Sequence, residues 1–73
     1  MEHSERILQI MEERGITAYR MAKDAGMSES VFSEWRRKPS SNIYSSNLVR
    51  IAGYLECSVD YLLGLTDKPE VNR

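Results

Sequence analysis

The chain has 73 residues, of which 41% are hydrophobic and 29% charged, a composition typical of one small globular domain. A domain of this size buries only about 60% of the surface that its unfolded chain exposes, which leaves little room for an enclosed substrate pocket. The net charge of −1 argues mildly against a nucleic-acid ligand, but residues 17–50 carry six cations against three carboxylates. Because nucleic acid requires a local basic face and not a basic average, the total charge does not exclude it.

Apolar residues recur at helical spacing along most of the chain, and no segment alternates as a strand would. Ser4 is a candidate N-cap for a first helix over 4–14, and Thr17 is one for a second helix over 18–25. Glycine after a helix is typical of a left-handed C-terminal residue. Gly15 follows the first predicted helix, and Gly26 follows the second.

The third predicted helix covers 29–37, with Ser28 as its candidate N-cap, and Pro39 prevents its continuation because proline disfavours helical geometry in the preceding residue. Residues 39–42 have the composition of a loop.

Ser45 or Ser46 opens a fourth predicted helix over 46–56, and Ser58 caps a short fifth helix over 59–63. We expect the tail 65–73 to fray. Apolar residues of the five segments form the predicted core: Ile7, Ile10, Met11, Met21, Ala22, Ala25, Val31, Phe32, Trp35, Leu48, Ile51, Ala52 and Leu55.

The most informative segment is 17–37, where two helices are joined by a turn of about three to four residues that contains glycine, a pattern typical of a helix-turn-helix. Ala22 is small enough for the two helices to cross closely, and Gly26 adopts a positive φ at the least cost. Trp35 shares an apolar stripe with Phe32 and is therefore interpreted as a core residue, not as a stacking platform.

Three segments carry a resemblance to a known family: 17–28 (TAYRMAKDAGMS), 48–52 (LVRIA) and 58–64 (SVDYLLG). In this order and at this spacing, they resemble the Cro/repressor-type helix-turn-helix domain of phage repressors and their bacterial relatives, the xenobiotic-response-element-like regulators. The resemblance covers residues 16–64. It departs from the common pattern at Ala18, where a glutamine is frequent, and at Lys38-Pro39, where a glycine is frequent.

The resemblance implies an all-α, five-helix lambda-repressor-like domain in a single unit over 1–73, with its core at 4–64 and with the third helix in the major groove of double-stranded DNA. It also implies binding as a homodimer, which Tyr61, Leu62 and Leu65 near the C-terminus support weakly. Carried over by position, the candidate base-reading residues are Ser28, Glu29, Ser30, Ser33, Glu34 and Arg37. The candidate phosphate-binding residues are Thr17, Tyr19, Arg36, Lys38, Asn42, Tyr44, Ser45, Ser46 and Asn47.

Several of these residues allow a structural interpretation beside the functional one. Glu29 and Glu34 can accept a hydrogen bond from cytosine N4, but Glu34 can also pair with Lys38 on a solvated helix face. The basic cluster 36–38 can bind phosphates or stabilise a helix C-terminus. The segment 45–47 can be a helix cap as well as a phosphate site. Tyr19, Tyr44 and Asn42 can each hydrogen-bond phosphate, and the two tyrosines can equally be packing residues.

Other classes of function find little support. His3 and Cys57 are single, whereas a zinc site needs about four ligands, and no Ser-His-Asp set or phosphate-binding glycine loop is present. We therefore expect no enzymatic activity, no cofactor and no metal. One cysteine cannot form an internal disulfide, and neither signal peptide nor membrane span is evident, so we expect a cytoplasmic protein. Two hypotheses remain: a sequence-specific transcriptional regulator, and a protein-interaction module on the same fold, such as an antitoxin or anti-repressor.

Overall fold

The structure is a computed structural model that describes residues 2–70. Within this range the chain forms five helices and no strand, which confirms the predicted fold class. Every helix boundary lies within one residue of its predicted position. The helices are α1 (His3–Glu13), α2 (Ala18–Ala25), α3 (Ser30–Arg37), α4 (Ser45–Leu55) and α5 (Val59–Leu62).

Two of the predicted serine and threonine caps are confirmed. Thr17 Oγ1 accepts a hydrogen bond from the backbone N–H of Arg20 at 3.1 Å, and Ser58 Oγ accepts one from Tyr61 at 3.1 Å. Each bond satisfies a backbone donor that has no partner inside its own helix. Gly26 adopts the predicted left-handed conformation after α2, with φ 73°.

The predicted caps Ser4 and Ser28 are wrong, because α1 and α3 each begin one residue away from the expected start, whereas Ser45, one of the two predicted openings of α4, is its first residue. The N-cap of α1 is Glu2, and Ser4 lies inside the helix with its side chain buried. Ser28 does not cap α3, because the N-cap Glu29 is already helical (φ −61°, ψ −28°). Helix α4 begins at Ser45 after Tyr44, and no side chain caps it.

The core lies among all five helices. Phe32 and Trp35 of α3 meet edge to face with their ring centroids 5.3 Å apart, and both are buried. Trp35 is thus confirmed as a core residue. Three predicted core residues, Ala25, Val31 and Leu48, are only half-buried and pack at the edge of the cluster. The buried apolar residues are Ile7, Ile10, Met11, Met21, Ala22, Phe32, Trp35, Ile51, Ala52, Leu55, Cys57 and Leu62.

Two arginines, one within α1 and one directly after it, connect this helix to the C-terminal helices. Arg14 donates to the carbonyl of Leu55 at 2.6 Å, at the end of α4. Arg6 donates to the carbonyl of Tyr61 and stacks over its ring, with its guanidinium carbon 4.8 Å from the ring centroid. The carbonyl of Tyr61 also accepts from the N–H of Gly64. Basic side chains commonly bond the carbonyls of helix ends, so these two cations stabilise the fold.

The C-terminal segment bears on the expected dimer contact. Leu62 is fully buried, so the expectation that it supports a dimer is wrong, while Tyr61 is half-buried beneath Arg6 and Leu65 is 72% exposed. In the predicted tail, the carbonyl of Pro69 accepts a hydrogen bond from the Ser58 N–H at 3.0 Å. The last three residues of that tail, 71–73, lie outside the described residues.

None of the described helices combines the length and the apolar character needed to cross a lipid bilayer.

Candidate nucleic-acid interface

Helices α2 and α3 are joined by a short turn that runs from Gly26 to Glu29. The N–H of Met27 bonds the carbonyl of Ala22 at 2.8 Å, which closes the end of α2. A Cβ atom added to Gly26 would meet no atom within 4 Å, so the need for glycine here is conformational and not steric. A left-handed residue at this point lets the chain reverse into α3.

Helix α4 braces this turn at two points that sequence analysis missed. Arg50 donates to the carbonyl of Gly26 at 3.3 Å, and the hydroxyl of Tyr54 donates to Asp24 Oδ2 at 2.9 Å. Asp24 also accepts a bond of 2.8 Å from Arg20. The Arg20–Asp24 pair is visible in sequence as an i, i+4 pair. Nothing in the sequence links Tyr54 to Asp24, 30 positions earlier, or Arg50 to Gly26, 24 positions earlier.

The contact between Tyr54 and Asp24 shifts the pKa of both side chains. The hydrogen bond from Tyr54, followed by that from Arg20, lowers the pKa of the Asp24 carboxyl below its ordinary value. The same bond to Asp24 raises the pKa of the Tyr54 phenol, because ionisation would remove the donor. Asp24 is therefore an acceptor for both partners at neutral pH.

One face of α3 is polar and open to solvent. Helical geometry places Phe32 and Trp35 on one side, both of them buried, and leaves the opposite side free. The residues on that free side are exposed: Ser30, Ser33, Glu34 and Arg37. Four of the six predicted base-reading residues thus share one exposed helix face.

The other two predicted base-reading residues, Ser28 and Glu29, lie in the turn before α3 and are also exposed. The hydroxyls of Ser28 and Ser30 are 2.7 Å apart and form a hydrogen bond. This bond takes the place of the expected N-cap contact. It groups two small polar side chains at the N-terminal end of α3.

Glu34 of α3 pairs with Arg37, whereas the sequence offered Lys38 as its partner. Arg37 Nη2 lies 3.6 Å from Glu34 Oε1, and Lys38 is not the partner of Glu34. The two side chains are 73% and 54% exposed, and an exposed pair of this kind is worth little energy because water screens it. Both groups can therefore leave the pair for another ligand at small cost.

A cleft of about 370 Å³ lies between α3 and the beginning of α4. Two predicted base-reading residues and four predicted phosphate-binding residues line it together. The walls include Ser30, Glu34, Lys38, Asn42, Tyr44 and Asn47, with Val31, Trp35 and Ser41. We call this the α3–α4 cleft. Since its residues come from a helix, a loop and a second helix, their proximity is a property of the fold.

The beginning of α4 presents free donors beside this cleft. The N–H groups of Asn47 and Leu48 bond the carbonyl of Tyr44. Within residues 2–70 no acceptor bonds the N–H groups of Ser45 or Ser46, and both residues are exposed. Tyr44 is 74% exposed. Free N–H groups at a helix N-terminus suit an anionic group.

Two predicted phosphate-binding residues, Thr17 and Tyr19, lie elsewhere, in a second hollow at the beginning of α2. Arg20, Lys23 and Tyr54 also line it. The Thr17 hydroxyl accepts the capping bond, but its own hydrogen remains available to donate. The structure therefore separates the predicted phosphate-binding residues into a group near α2 and a group near α3 and α4.

Some cations of segment 17–50 are held by other groups of the protein, and others are free. Arg20 and Arg50 are held by Asp24 and by the Gly26 carbonyl. Among the described residues, Lys23, Arg36 and Lys38 have no carboxylate within ion-pair distance, and all three are exposed. Arg36 and Lys38 flank Arg37 at the end of α3, so the free positive charge is concentrated there.

Across residues 2–70 no group of three or more possible metal ligands comes together. Cys57 is buried, and burial raises the pKa of its thiol. A neutral, enclosed thiol is a poor nucleophile and a poor metal ligand.

The fold, the glycine turn and the exposed face of α3 define a helix-turn-helix domain. The sequence profile of the Cro/C1-type helix-turn-helix DNA-binding domain matches residues 6–68, and the chain belongs to this family. The family is one of DNA-binding domains and is in general not enzymatic. No curated protein and no solved structure matched the chain.

Proposed function

We propose that the protein is a sequence-specific transcriptional regulator that inserts α3 into the major groove of double-stranded DNA. The observation that carries this proposal is the exposed polar face of α3, with Ser30, Ser33 and Glu34 on one helix side and the buried aromatic pair on the other. Serine hydroxyls and a carboxylate are groups that read base edges in the major groove, with glutamate accepting from cytosine N4.

The surroundings of α3 supply the contacts that would fix its position on the duplex. Lys38 and Asn42 line the α3–α4 cleft, and the free N–H groups of Ser45 and Ser46 adjoin it. Such groups bind phosphates and set the register of a protein on DNA, but they carry no sequence information themselves. On the far side of the turn, Tyr19 and Lys23 would contact a second stretch of backbone.

We further propose that two copies bind a two-fold operator as a homodimer. One short helix touches only a few base pairs, so useful selectivity requires two half-sites. The molecule extends 32 × 25 × 23 Å, and successive major grooves on one side of DNA are about 34–36 Å apart. With either of the two shorter axes along the duplex, two copies can therefore occupy adjacent half-sites. Footprinting should reveal paired half-sites at this spacing, and a single protected half-site with one protein bound at saturation would contradict the dimer.

The resemblance to phage repressors supports a repressing role, since a protein bound over a promoter excludes other proteins from the same DNA. We therefore propose a repressor of the phage or mobile-element type. A chromosomal or phage DNA target would be met inside the cell, in the cytoplasm.

The second candidate function is a protein-interaction module, such as an antitoxin or anti-repressor partner. Glu29 and Glu34 favour it, because exposed carboxylates on this face repel phosphate. The free cations Arg36 and Lys38 disfavour it, because they lie at the end of the same helix.

A mobility-shift assay on total genomic fragments, repeated over a series of salt concentrations, separates the two functions. For the regulator we expect selected fragments to shift, with an affinity that falls steeply as salt rises. Absence of any shift at low salt would support the protein-interaction module.

A further inference from the structure

A buried hydroxyl ties α1 to the loop between α3 and α4. Ser4 is only 1% exposed, and its Oγ donates to the carbonyl of Pro39 at 2.7 Å, across 35 positions of sequence. Buried polar side chains are uncommon unless a partner compensates their loss of water. The partner of the Ser4 hydroxyl is a single backbone carbonyl of the loop.

This loop, residues 38–44, forms much of the wall of the α3–α4 cleft. Lys38, Asn42 and Tyr44 belong to it and line that cleft. Inside the loop, the N–H and the hydroxyl of Ser41 both bond the carbonyl of Lys38, at 3.0 and 2.7 Å. These bonds shape a local turn, but they do not fix the turn relative to the rest of the molecule.

No residue of the loop 38–44 is fully buried. Two hollows adjoin the loop: the α3–α4 cleft, and a second hollow of about 300 Å³ whose lining includes residues of α1, Pro39 and Ile43. Ile43 is half-buried and packs against the core, whereas Tyr44 is 74% exposed. Within the described residues, the Ser4 bond is the one hydrogen bond from the loop to an element other than α3 or α4.

We propose that Ser4 is a positioning residue of the DNA interface. Its hydroxyl holds the loop 38–44 against α1 and thereby sets where the phosphate-binding side chains of the cleft stand relative to α3. This inference rests on the proposed function and deepens it. It predicts that loss of the hydroxyl weakens phosphate contacts while the base preference of α3 is kept, because the loop does not read bases.

The test compares Ser4→Ala with Ile10→Val, which removes one buried methyl group from the same helix and serves as a control for general loss of stability. Both are measured at a temperature where each is fully folded, on a duplex that the parent selects from a randomised pool. Ser4→Ala should weaken binding by about three- to tenfold, the usual effect of one lost hydrogen bond, and should reduce the salt slope by about one. Ile10→Val should do neither, and Ser4→Thr, which keeps the hydroxyl, should restore the parent slope.

Amide hydrogen exchange supplies a second measurement that does not depend on DNA. In Ser4→Ala the Ser41 amide should exchange about tenfold faster or more, while the Ile51 amide of α4 follows global stability only. If Ser4→Ala does not fold, Ser4→Cys, which keeps the size but donates weakly, takes its place in the same comparison.

Two results would overturn the proposal: parent-like exchange at Ser41, or equal losses of affinity in Ser4→Ala and Ile10→Val. If the parent itself selects no duplex, the proposed function fails, and the Ser41 exchange comparison still decides whether Ser4 fixes the loop.

Discussion

At the scale of single residues, the cations of the chain have two different uses. Arg6, Arg14 and Arg50 each donate to a backbone carbonyl of another element. Arg36 and Lys38 make no such contact within residues 2–70 and are exposed. A chain with a net charge of −1 can therefore still present free positive charge, because the charge that matters is the part not engaged in holding the fold.

The first prediction concerns these free cations. Arg36→Ala or Lys38→Ala should weaken binding to all duplexes about equally and lower the salt slope by about one, since each variant loses one of the proposed phosphate contacts. The slope is measured by fluorescence anisotropy over a salt series. Lys68→Ala, which removes a cation from the C-terminal segment, is the matched control. An equal effect of Lys68→Ala would indicate that net charge, and not the end of α3, determines affinity.

The second prediction concerns Asp24, whose pKa is lowered by Tyr54 and Arg20. A carboxyl with a lowered pKa stabilises the fold above its ordinary pKa of 3.8, and this contribution is lost as the pH falls through the folded value. Melting temperatures between pH 6 and pH 2 should therefore fall less in Asp24→Asn than in the parent. Glu12→Gln, which removes an exposed carboxylate of α1, is the control. Parallel curves for parent and Asp24→Asn would contradict this role.

At the scale of the helices, periodicity predicted the elements well and the capping serines less well. Helices depend on an apolar stripe of many residues, so an error at one position does not move the element. A cap depends on one residue and on where the helix begins. Ser4 and Ser28 have the chemistry of a cap, but Ser4 lies two positions after the N-cap Glu2 and Ser28 lies one position before the N-cap Glu29.

The candidate site was predictable in part for the same physical reason. The outward face of α3 follows from the periodicity of the helix, and so the sequence alone could place Ser30, Ser33 and Glu34 on its exposed side. The Glu34–Arg37 pair and the α3–α4 cleft could not, because they depend on side-chain rotamers and on how a loop folds back. The bonds from Arg50 to Gly26 and from Tyr54 to Asp24 join distant positions and leave no local pattern.

The third prediction belongs to the end of α4, where Glu56 is left-handed with φ 54°. A side chain in this conformation costs about 1–2 kcal/mol relative to glycine. Glu56→Gly should therefore stabilise the protein by about 1 kcal/mol, which raises the melting temperature by about 4–8 °C in a domain of this size. Gln9→Gly, at an exposed position inside α1, should instead destabilise by about 1 kcal/mol. A lower melting temperature in Glu56→Gly would contradict the strain argument.

At the scale of the whole molecule, one small core positions the exposed face of α3. Helix α3 contributes Phe32 and Trp35 to that core, so the face that meets solvent is oriented by the face that is buried. Helix α4 packs against α2 and braces the turn before α3. Stability and DNA binding should therefore be coupled through α3.

The fourth prediction tests this coupling. Phe32→Ala removes a fully buried ring that touches Trp35 and should cost about 3–5 kcal/mol in free energy of unfolding. Because small domains have little stability in reserve, DNA binding should fall in step with the folded fraction. Val49→Ala, at a position 66% exposed, should change stability by less than about 0.5 kcal/mol. Urea denaturation measures both, and equal stabilities of the two variants would mean that the core is wrongly identified.

The central claim is that the exposed face at the beginning of α3 reads base edges. The direct measurement is selection of binding sites from a randomised duplex pool by the parent, Glu29→Ala and Ser30→Ala in parallel. We predict that each variant relaxes the preference at one or two base pairs, by about 1–3 kcal/mol each, and that Glu29→Ala binds non-specific DNA more tightly, because a carboxylate near phosphate is lost. An unchanged selected motif in both variants would contradict base reading by α3 and would favour the protein-interaction module.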